Sequence, residues 1–276
     1  MKRFLLCTDL DRTLIPNGPQ PESPLARERF KRLVSNNKVT LAYVTGRHRA
    51  LIKQAIVEFG LPQPDFAIAD VGSTIYQTDA TGWHQWKAWD EQIAPDWCGL
   101  SHDELHKLLS GFPELSLQER EKQNRHKLSF YIPLETDAQN LIGEMETRLK
   151  QANIRANLIW SIDEPARIGL LDILPASANK LHAIHFLMQQ KGFGHNNTVF
   201  AGDSGNDLDV LLSDIPAVLV ANADGEVKNA AAMAHKDALY LARGSYLGMN
   251  GNYSAGILEG IAHYQPDVDA WLREQV

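Results

Sequence analysis

Phe4-Leu5-Leu6-Cys7-Thr8-Asp9-Leu10-Asp11-Arg12-Thr13 is an apolar run that ends on two carboxylates one residue apart. Apolar residues without alternation indicate a strand buried on both faces, the habit of parallel sheets. Such a strand delivers Asp9 and Asp11 at its carboxyl end, where open α/β sheets place their ligands. Side chains alternate along a strand, so the pair shares a face if the extended geometry persists. Two carboxylates that close repel unless a cation or a proton separates them. Alone, the same pattern also describes a solvated turn after a strand, so the rest of the chain must decide.

Outward from this strand, the pattern repeats. Arg12 to Pro24 is rich in proline and reads as a loop over the Asp pair; Ser23-Pro24 then opens a helix, with the serine as N-cap. Val39 to Val44 is a second buried strand, ending at Thr45-Gly46-Arg47, and a helix follows as far as Gly60. Arg47, His48 and Arg49 at that helix start oppose its dipole, a conflict that a bound anion would remove. Phe66 to Ala69 is a third strand, and Thr74 to Trp86 a hairpin turning near Asp79 to Gly82.

Composition changes at the tryptophans Trp83, Trp86, Trp89 and Trp97, read as core or hinge packing. Beyond them, Lys127 to Leu134 and Ile154 to Ile162 alternate, Arg167 to Leu174 is another strand, and Asp137 to Ala152 is an amphipathic helix. This describes one antiparallel sheet with helices on one face. The first pattern returns afterwards. Ser177 caps a helix carrying Lys180, Val199 to Ala201 runs into Gly202-Asp203-Ser204-Gly205-Asn206-Asp207, and Ala217 to Val220 is one more strand. Asn250 to Gly260 leads into a last helix. The prediction is an α/β fold: a doubly wound, Rossmann-like parallel-sheet core from residues 1–85 and 174–276, with an α+β insertion over 86–173.

The chain has 276 residues, 44% hydrophobic and 22% charged, with a net charge of −7. That size supports one large domain or two modest ones. The negative balance argues against nucleic acid or an anionic membrane surface as partner. No segment is apolar for long enough to span a bilayer, and Asp9 interrupts the N-terminal run too early for a signal peptide. Cys7 and Cys98 are expected to be reduced, in a cytoplasmic protein. His182 and His185 stand at near-turn spacing, but without a third ligand they read as ordinary helix residues.

Several buried strands thus stop at polar residues of a useful kind: Asp9 and Asp11, Thr45, then Asp203 and Asp207, with Lys180 opening a helix between them. In a parallel sheet these ends converge on one edge. Three or four carboxylates and one lysine there require a cation, and hard oxygen donors select Mg²⁺. A phosphoryl group can then approach a carboxylate nucleophile.

Asp9-Leu10-Asp11-Arg12-Thr13, Thr45, Lys180 and Gly202-Asp203-Ser204-Gly205-Asn206-Asp207, in that order, resemble the four motifs of the haloacid dehalogenase superfamily. The insertion resembles that superfamily's type-two cap. Asp70 to Tyr76, His126 to Tyr131, Asp172 to Lys180 and Asn252 to Gly260 resemble its sucrose-phosphate phosphatase group. Arg12 departs from the pattern, which usually has glycine there; the position varies among sugar-phosphate phosphatases and bears on specificity.

The resemblance implies that Asp9 attacks phosphorus and that Asp11 protonates the leaving oxygen and then activates water. It implies Mg²⁺ on Asp9, the Asp11 carbonyl and Asp203, with Asp207 in or beside that shell, and Thr45 and Lys180 on the phosphoryl oxygens. The substrate contacts it implies are Thr45, Gly46, Arg47, Lys127, Lys180 and Asn206, with a sugar phosphate as the small-molecule partner and a sugar-phosphate synthase upstream. The expected substrate is a phosphorylated disaccharide, first sucrose 6-phosphate, with mannosylfructose phosphate as the neighbouring alternative. A sugar phosphomutase and a non-catalytic binding module are the competing classes.

Overall fold

The computed structural model describes residues 1–163, 166–234 and 237–275. The chain opens with β1 (Phe4–Thr8), α1 (Ala26–Val34), β2 (Val39–Val44), α2 (Arg49–Glu58), β3 (Phe66–Ala69), β4 (Thr74–Asp79) and β5 (Gly82–Gln85). It continues through α3 (Lys87–Ile93), α4 (His102–Leu108), β6 (Ser116–Leu117), β7 (Leu128–Ile132), α5 (Ala138–Gln151), β8 (Ala156–Asp163) and β9 (Ile168–Pro175). It closes with α6 (Lys180–Lys191), β10 (Thr198–Gly202), α7 (Leu208–Leu211), β11 (Ala217–Leu219), α8 (Gly225–Ala234), β12 (Leu239–Leu241), α9 (Ser254–Tyr264) and α10 (Pro266–Glu274).

Two sheets result. The larger has eight strands in the order β12-β11-β10-β1-β2-β3-β4-β5. It is parallel from β12 to β3 and ends in an antiparallel hairpin. β1 lies inside it, every residue buried, with Leu5 and Cys7 packed into one hydrophobic cluster and Phe4 and Leu6 into the other. From β1 the chain first builds outward through β2 and β3, then returns to build β10 on the other flank. The order therefore reverses between β1 and β10, and a crevice opens beyond their carboxyl ends at such a reversal. The hydrogen bond from Asp9 N–H to the Ala201 carbonyl, 2.9 Å, ties the two ends together.

The smaller sheet, β6-β7-β9-β8, is antiparallel throughout. It has its own apolar cluster, with Leu128, Phe130 and Ile132 of β7 against Leu141, Met145 and Leu149 of α5. On the way out, the clusters change hands between Ile93, which belongs to the larger sheet's core, and Trp97, which belongs to the smaller one's. The tryptophans are packing residues here: Trp89 is fully buried, with its indole N–H on the Gly72 carbonyl at 3.0 Å.

Three local expectations are corrected by long-range contacts. Ser23 does not cap α1; Leu25 holds that place at φ 62°, and the Ser23 hydroxyl accepts the Asn250 N–H instead. Ser177 does not cap α6; its hydroxyl donates to Asp96, and Asn179 caps the helix through the His182 N–H at 2.8 Å. The helix led by Asn250 to Gly260 is not the last, because Pro266 at a first helical turn starts α10. β12 and α8 were also illegible, one being three residues long and the other weakly patterned.

Candidate active site

The site is assembled from the loops that leave β1, β2 and β10 and from the first turn of α6. Asp9, Asp203 and Asp207 each place a carboxylate oxygen within 4.8 Å of the others, and all three are buried. Lys180, also buried, donates from Nζ to Asp9 Oδ1 at 3.0 Å, Asp207 Oδ1 at 2.7 Å and Asn206 Oδ1 at 2.9 Å. The first turn of α6 reaches this position because Gly72, at φ +98°, passes against it. A Cβ at Gly72 would lie 2.4 Å from the Asn179 carbonyl carbon, so no other residue fits.

Electrostatics follow from burial. Asp9 is pushed up to about 8, chiefly by burial; the charge of Lys180 pulls the other way but does not prevail. Burial also pushes Asp203 up to about 6, helped by the charge of Asp207. Burial disfavours the Lys180 ammonium, yet Asp207 and Asp9 outweigh it and hold that group above the usual lysine range.

The donor set suits a hard divalent cation. Asp203 Oδ2 is buried without a hydrogen-bond partner, while Oδ1 accepts from Thr13 at 3.0 Å. An unpartnered carboxylate oxygen beside two further carboxylates is the chemistry a Mg²⁺-sized ion satisfies. Asp207 is already used: Oδ2 accepts the N–H groups of Asp203 and Ser204, and Oδ1 accepts from Lys180. Those bonds make Asp207 a group that shapes the loop.

Asp11 stands apart from the carboxylate trio. Arg47 grips it through Nε to Oδ2 and a terminal nitrogen to Oδ1, both 2.7 Å, and Asn17 adds 2.7 Å from Nδ2 to Oδ1. Burial alone would raise the Asp11 carboxyl, but the hydrogen bonds and charge of Arg47, joined by Asn17, hold it below the usual range. Thr45, buried, takes the Arg47 N–H on its hydroxyl at 3.2 Å.

Asp9, Asp11, Thr45, Gly46, Arg47, Asp203 and Asn206 all line one cleft of about 330 Å³, and Lys180 lies directly beneath Asp9. Lys127 does not line this cleft. It stands immediately before β7 of the smaller sheet, with Nζ 3.2 Å from Asp172 Oδ2. Its charge is felt by Asp70, a buried carboxyl that desolvation raises to about 6. Asn17, Asn222 and Asp224 were missed in the sequence; Asn17 folds back on Asp11 and Arg12 within its own loop, and Asn222 and Asp224 reach Arg12 through long-range contacts that no local pattern announces. His182 is structural, with Nδ1 2.7 Å from the Ser177 carbonyl and its ring edge-on to Trp89.

The profile of the family described as sucrose-6F-phosphate phosphohydrolase matches residues 2–265. A protein of Nitrosococcus oceani described as a "putative HAD-like hydrolase" is 55% identical over 98% of this chain and 74% of its own length. Sucrose-phosphatase 1 of Nicotiana tabacum is 30% identical over 95% of this chain; the match spans only 59% of the tobacco protein. Mannosylfructose-phosphate phosphatase of Agrobacterium fabrum is 28% identical over 94% of this chain and 96% of its own. Among solved structures, the sucrose-phosphatase of Synechocystis, in complex with sucrose and phosphate, superposes with a TM-score of 0.73 at 27% identity, covering 96% of this chain and 98% of that one. With the profile running through all four motif segments and the cap, this chain belongs to the sucrose-6F-phosphate phosphohydrolase family of the haloacid dehalogenase superfamily, phosphatases of phosphate monoesters.

Proposed function

We propose that this phosphatase hydrolyses a phosphorylated disaccharide, first sucrose 6-phosphate, with a divalent magnesium ion at Asp9, the Asp11 carbonyl and Asp203. The observation that carries the reading is the buried trio of carboxylates with Lys180 among them, where the end of β1, which also presents Asp11, meets the end of β10. The bound ion would supply positive charge that lets an anionic phosphate approach an anionic carboxylate. Lys180 holds Asp9 by Oδ1; Oδ2, which accepts no hydrogen bond among the described residues, attacks phosphorus. The phosphorus–oxygen bond to the sugar breaks and an aspartyl phosphate forms on Asp9.

Asp11 gives a proton to the departing sugar oxygen and later takes one from the attacking water. For the first step Asp11 must be protonated, and in the grip of Arg47 it is not. Substrate that draws Arg47 onto its phosphoryl group loosens that grip and lets the Asp11 carboxyl rise. Thr45, Gly46 and Asn206 position the phosphoryl group, and Lys127 of the smaller sheet contacts the sugar. The substrate would come from a sugar-phosphate synthase.

Phosphate release from a panel of sugar phosphates tests the reading. Turnover of sucrose 6-phosphate is expected to exceed that of monosaccharide phosphates in kcat/KM by at least about tenfold, the scale of a few remote sugar contacts. Absence of release from every sugar phosphate would end it. Mannosylfructose phosphate is the second reading, favoured by the near full-length match to the Agrobacterium enzyme. Relative kcat/KM on the two disaccharide phosphates decides between them. Isomerised sugar phosphate with little free phosphate would mark a mutase instead.

A pH dependence also follows. Without the cation, native Asp9 holds its proton up to about 8, whereas the unfolded chain releases it near the ordinary aspartate value of 3.8. A group raised in the folded state gives stability that is complete at low pH and lost as pH rises through the folded value. The metal-free protein should therefore lose stability between about pH 4 and pH 8, and a bound cation should remove that loss. The gain in Tm from saturating Mg²⁺ is expected to be larger at pH 8 than at pH 5.5. An equal or smaller gain at pH 8 would count against a cation on Asp9.

A further inference from the structure

We propose that Arg12 is a built-in counter-ion that faces Asp203 before the cation binds, and that it sets the cation affinity of the site by competing for the same oxygen. The inference rests on the cation reading above and adds a role to a residue which that reading leaves idle.

Among the described residues, five buried side-chain polar atoms have no hydrogen-bond partner, and Arg12 Nε and Asp203 Oδ2 are two of them. They face each other at 3.6 Å, near enough for strong attraction and too far for a hydrogen bond. Lys180 already donates to Asp9, Asp207 and Asn206, so its three donors are spent. Arg12 is then the cation that the ion pairs of the described residues assign to Asp203. The guanidinium has a second anchor farther out: a terminal nitrogen donates to Asp224 Oδ1 at 2.7 Å, and Asp224 is half exposed.

The backbone is arranged to aim this side chain. Arg12 sits at φ 58°, the left-handed region where glycine is free and a side chain is disfavoured. Two side-chain amides hold it there: Asn17 Oδ1 accepts its N–H at 2.8 Å, and Asn222 Nδ2 donates to its carbonyl at 2.5 Å. An arginine kept in an unfavourable conformation, gripped on both sides and pointed at the buried, unpartnered Oδ2 of Asp203, balances charge where a glycine could not. When a cation takes Oδ2, Arg12 retains Asp224. The cost of cation binding therefore includes repulsion from a guanidinium whose outer anchor limits how closely it leans in.

Calorimetric titration of the metal-free protein with MgCl₂ tests this. Arg12→Gln should bind Mg²⁺ about tenfold more tightly than wild type, the effect of removing one partly solvated charge several ångströms from the ion. Arg12→Lys, which keeps the charge, should stay near wild type. The metal-free Tm of Arg12→Gln should fall below wild type, with the difference closing on Mg²⁺ saturation. Asp224→Asn should weaken binding in wild type, and much less in the Arg12→Gln background, because Asp224 acts through Arg12. Unchanged or weaker Mg²⁺ affinity in Arg12→Gln would overturn the role of Arg12, and equal Asp224→Asn effects in both backgrounds would overturn the coupling. If wild type binds no Mg²⁺, the cation reading itself fails; if wild type binds and Arg12→Gln matches it, only the present inference fails.

Discussion

Asp9→Asn is expected to lower kcat by at least about 10⁴-fold, the scale set by removing a covalent nucleophile, while leaving the protein folded. An amide of the same shape can still accept from Lys180, so the 3.0 Å contact that orients position 9 survives. What disappears is the anionic oxygen that would bond to phosphorus. Stability should not suffer. The Asp9 carboxyl is pushed up to about 8 by burial, so at neutral pH the metal-free fold must keep protonated a group that the unfolded chain ionises, a cost that the neutral amide does not carry. The metal-free Tm of the variant should therefore equal or exceed that of wild type. Activity within tenfold of wild type would remove Asp9 from the role of nucleophile, whatever the Tm.

Lys180→Met is expected to do the opposite on stability and the same on turnover. Methionine has a similar length and a flexible stem, so it fills the space left by the lysine without a large cavity. It offers no donor to Asp9, Asn206 or Asp207. Asp207 is fully buried and Asp9 nearly so, and both would face each other without the ammonium between them. Breaking one side of a buried ion pair costs about 3–5 kcal/mol, because the remaining charge is left uncompensated. For a chain of this size that is roughly a 10 °C loss in Tm. Adding Asp207→Asn should return part of the lost Tm, since it removes the most deeply buried orphan charge, and should not return activity. If Lys180→Met keeps the wild-type Tm, Lys180 is not what holds the acidic trio together.

The two variants separate roles that the sequence places side by side. In the proposed reaction position 9 would carry the chemistry at an electrostatic cost, and position 180 would offset that cost. Arg12 stands to Asp203 as Lys180 stands to Asp9 and Asp207, but from the solvent side, where the cation would enter. The site therefore holds two fixed positive charges and three buried carboxylates, which leaves one net negative charge with every group ionised.

Much of this was legible in the chain itself. Buried parallel strands declare themselves as apolar runs, and Val39 to Val44 and Phe66 to Ala69 matched their strands residue for residue. The alternation in Lys127 to Leu134 marked β7 and its buried face for the same reason, since a period of two survives any packing. The polar residue at the end of each run was equally visible, because a parallel sheet sends its strand ends to one edge. What a linear pattern cannot carry is competition among partners far apart in sequence. Ser23 and Ser177 have the right chemistry to cap helices, and each was taken by a stronger claim, from Asn250 and from Asp96. Asp9 and Asp11 were expected on one face, yet Arg47 and Asn17 hold the Asp11 carboxylate outside the trio that Asp9 joins.

The sequence by itself thus determined the longer strands, which end they present and which acidic groups stand there, because hydrophobic periodicity and strand polarity are local properties. Only the tertiary structure decided which cation faces which carboxylate: Lys180 for Asp9 and Asp207, Arg47 for Asp11, Arg12 for Asp203. Charge pairing depends on distance and burial in space, and neither is written into the spacing of residues along a chain.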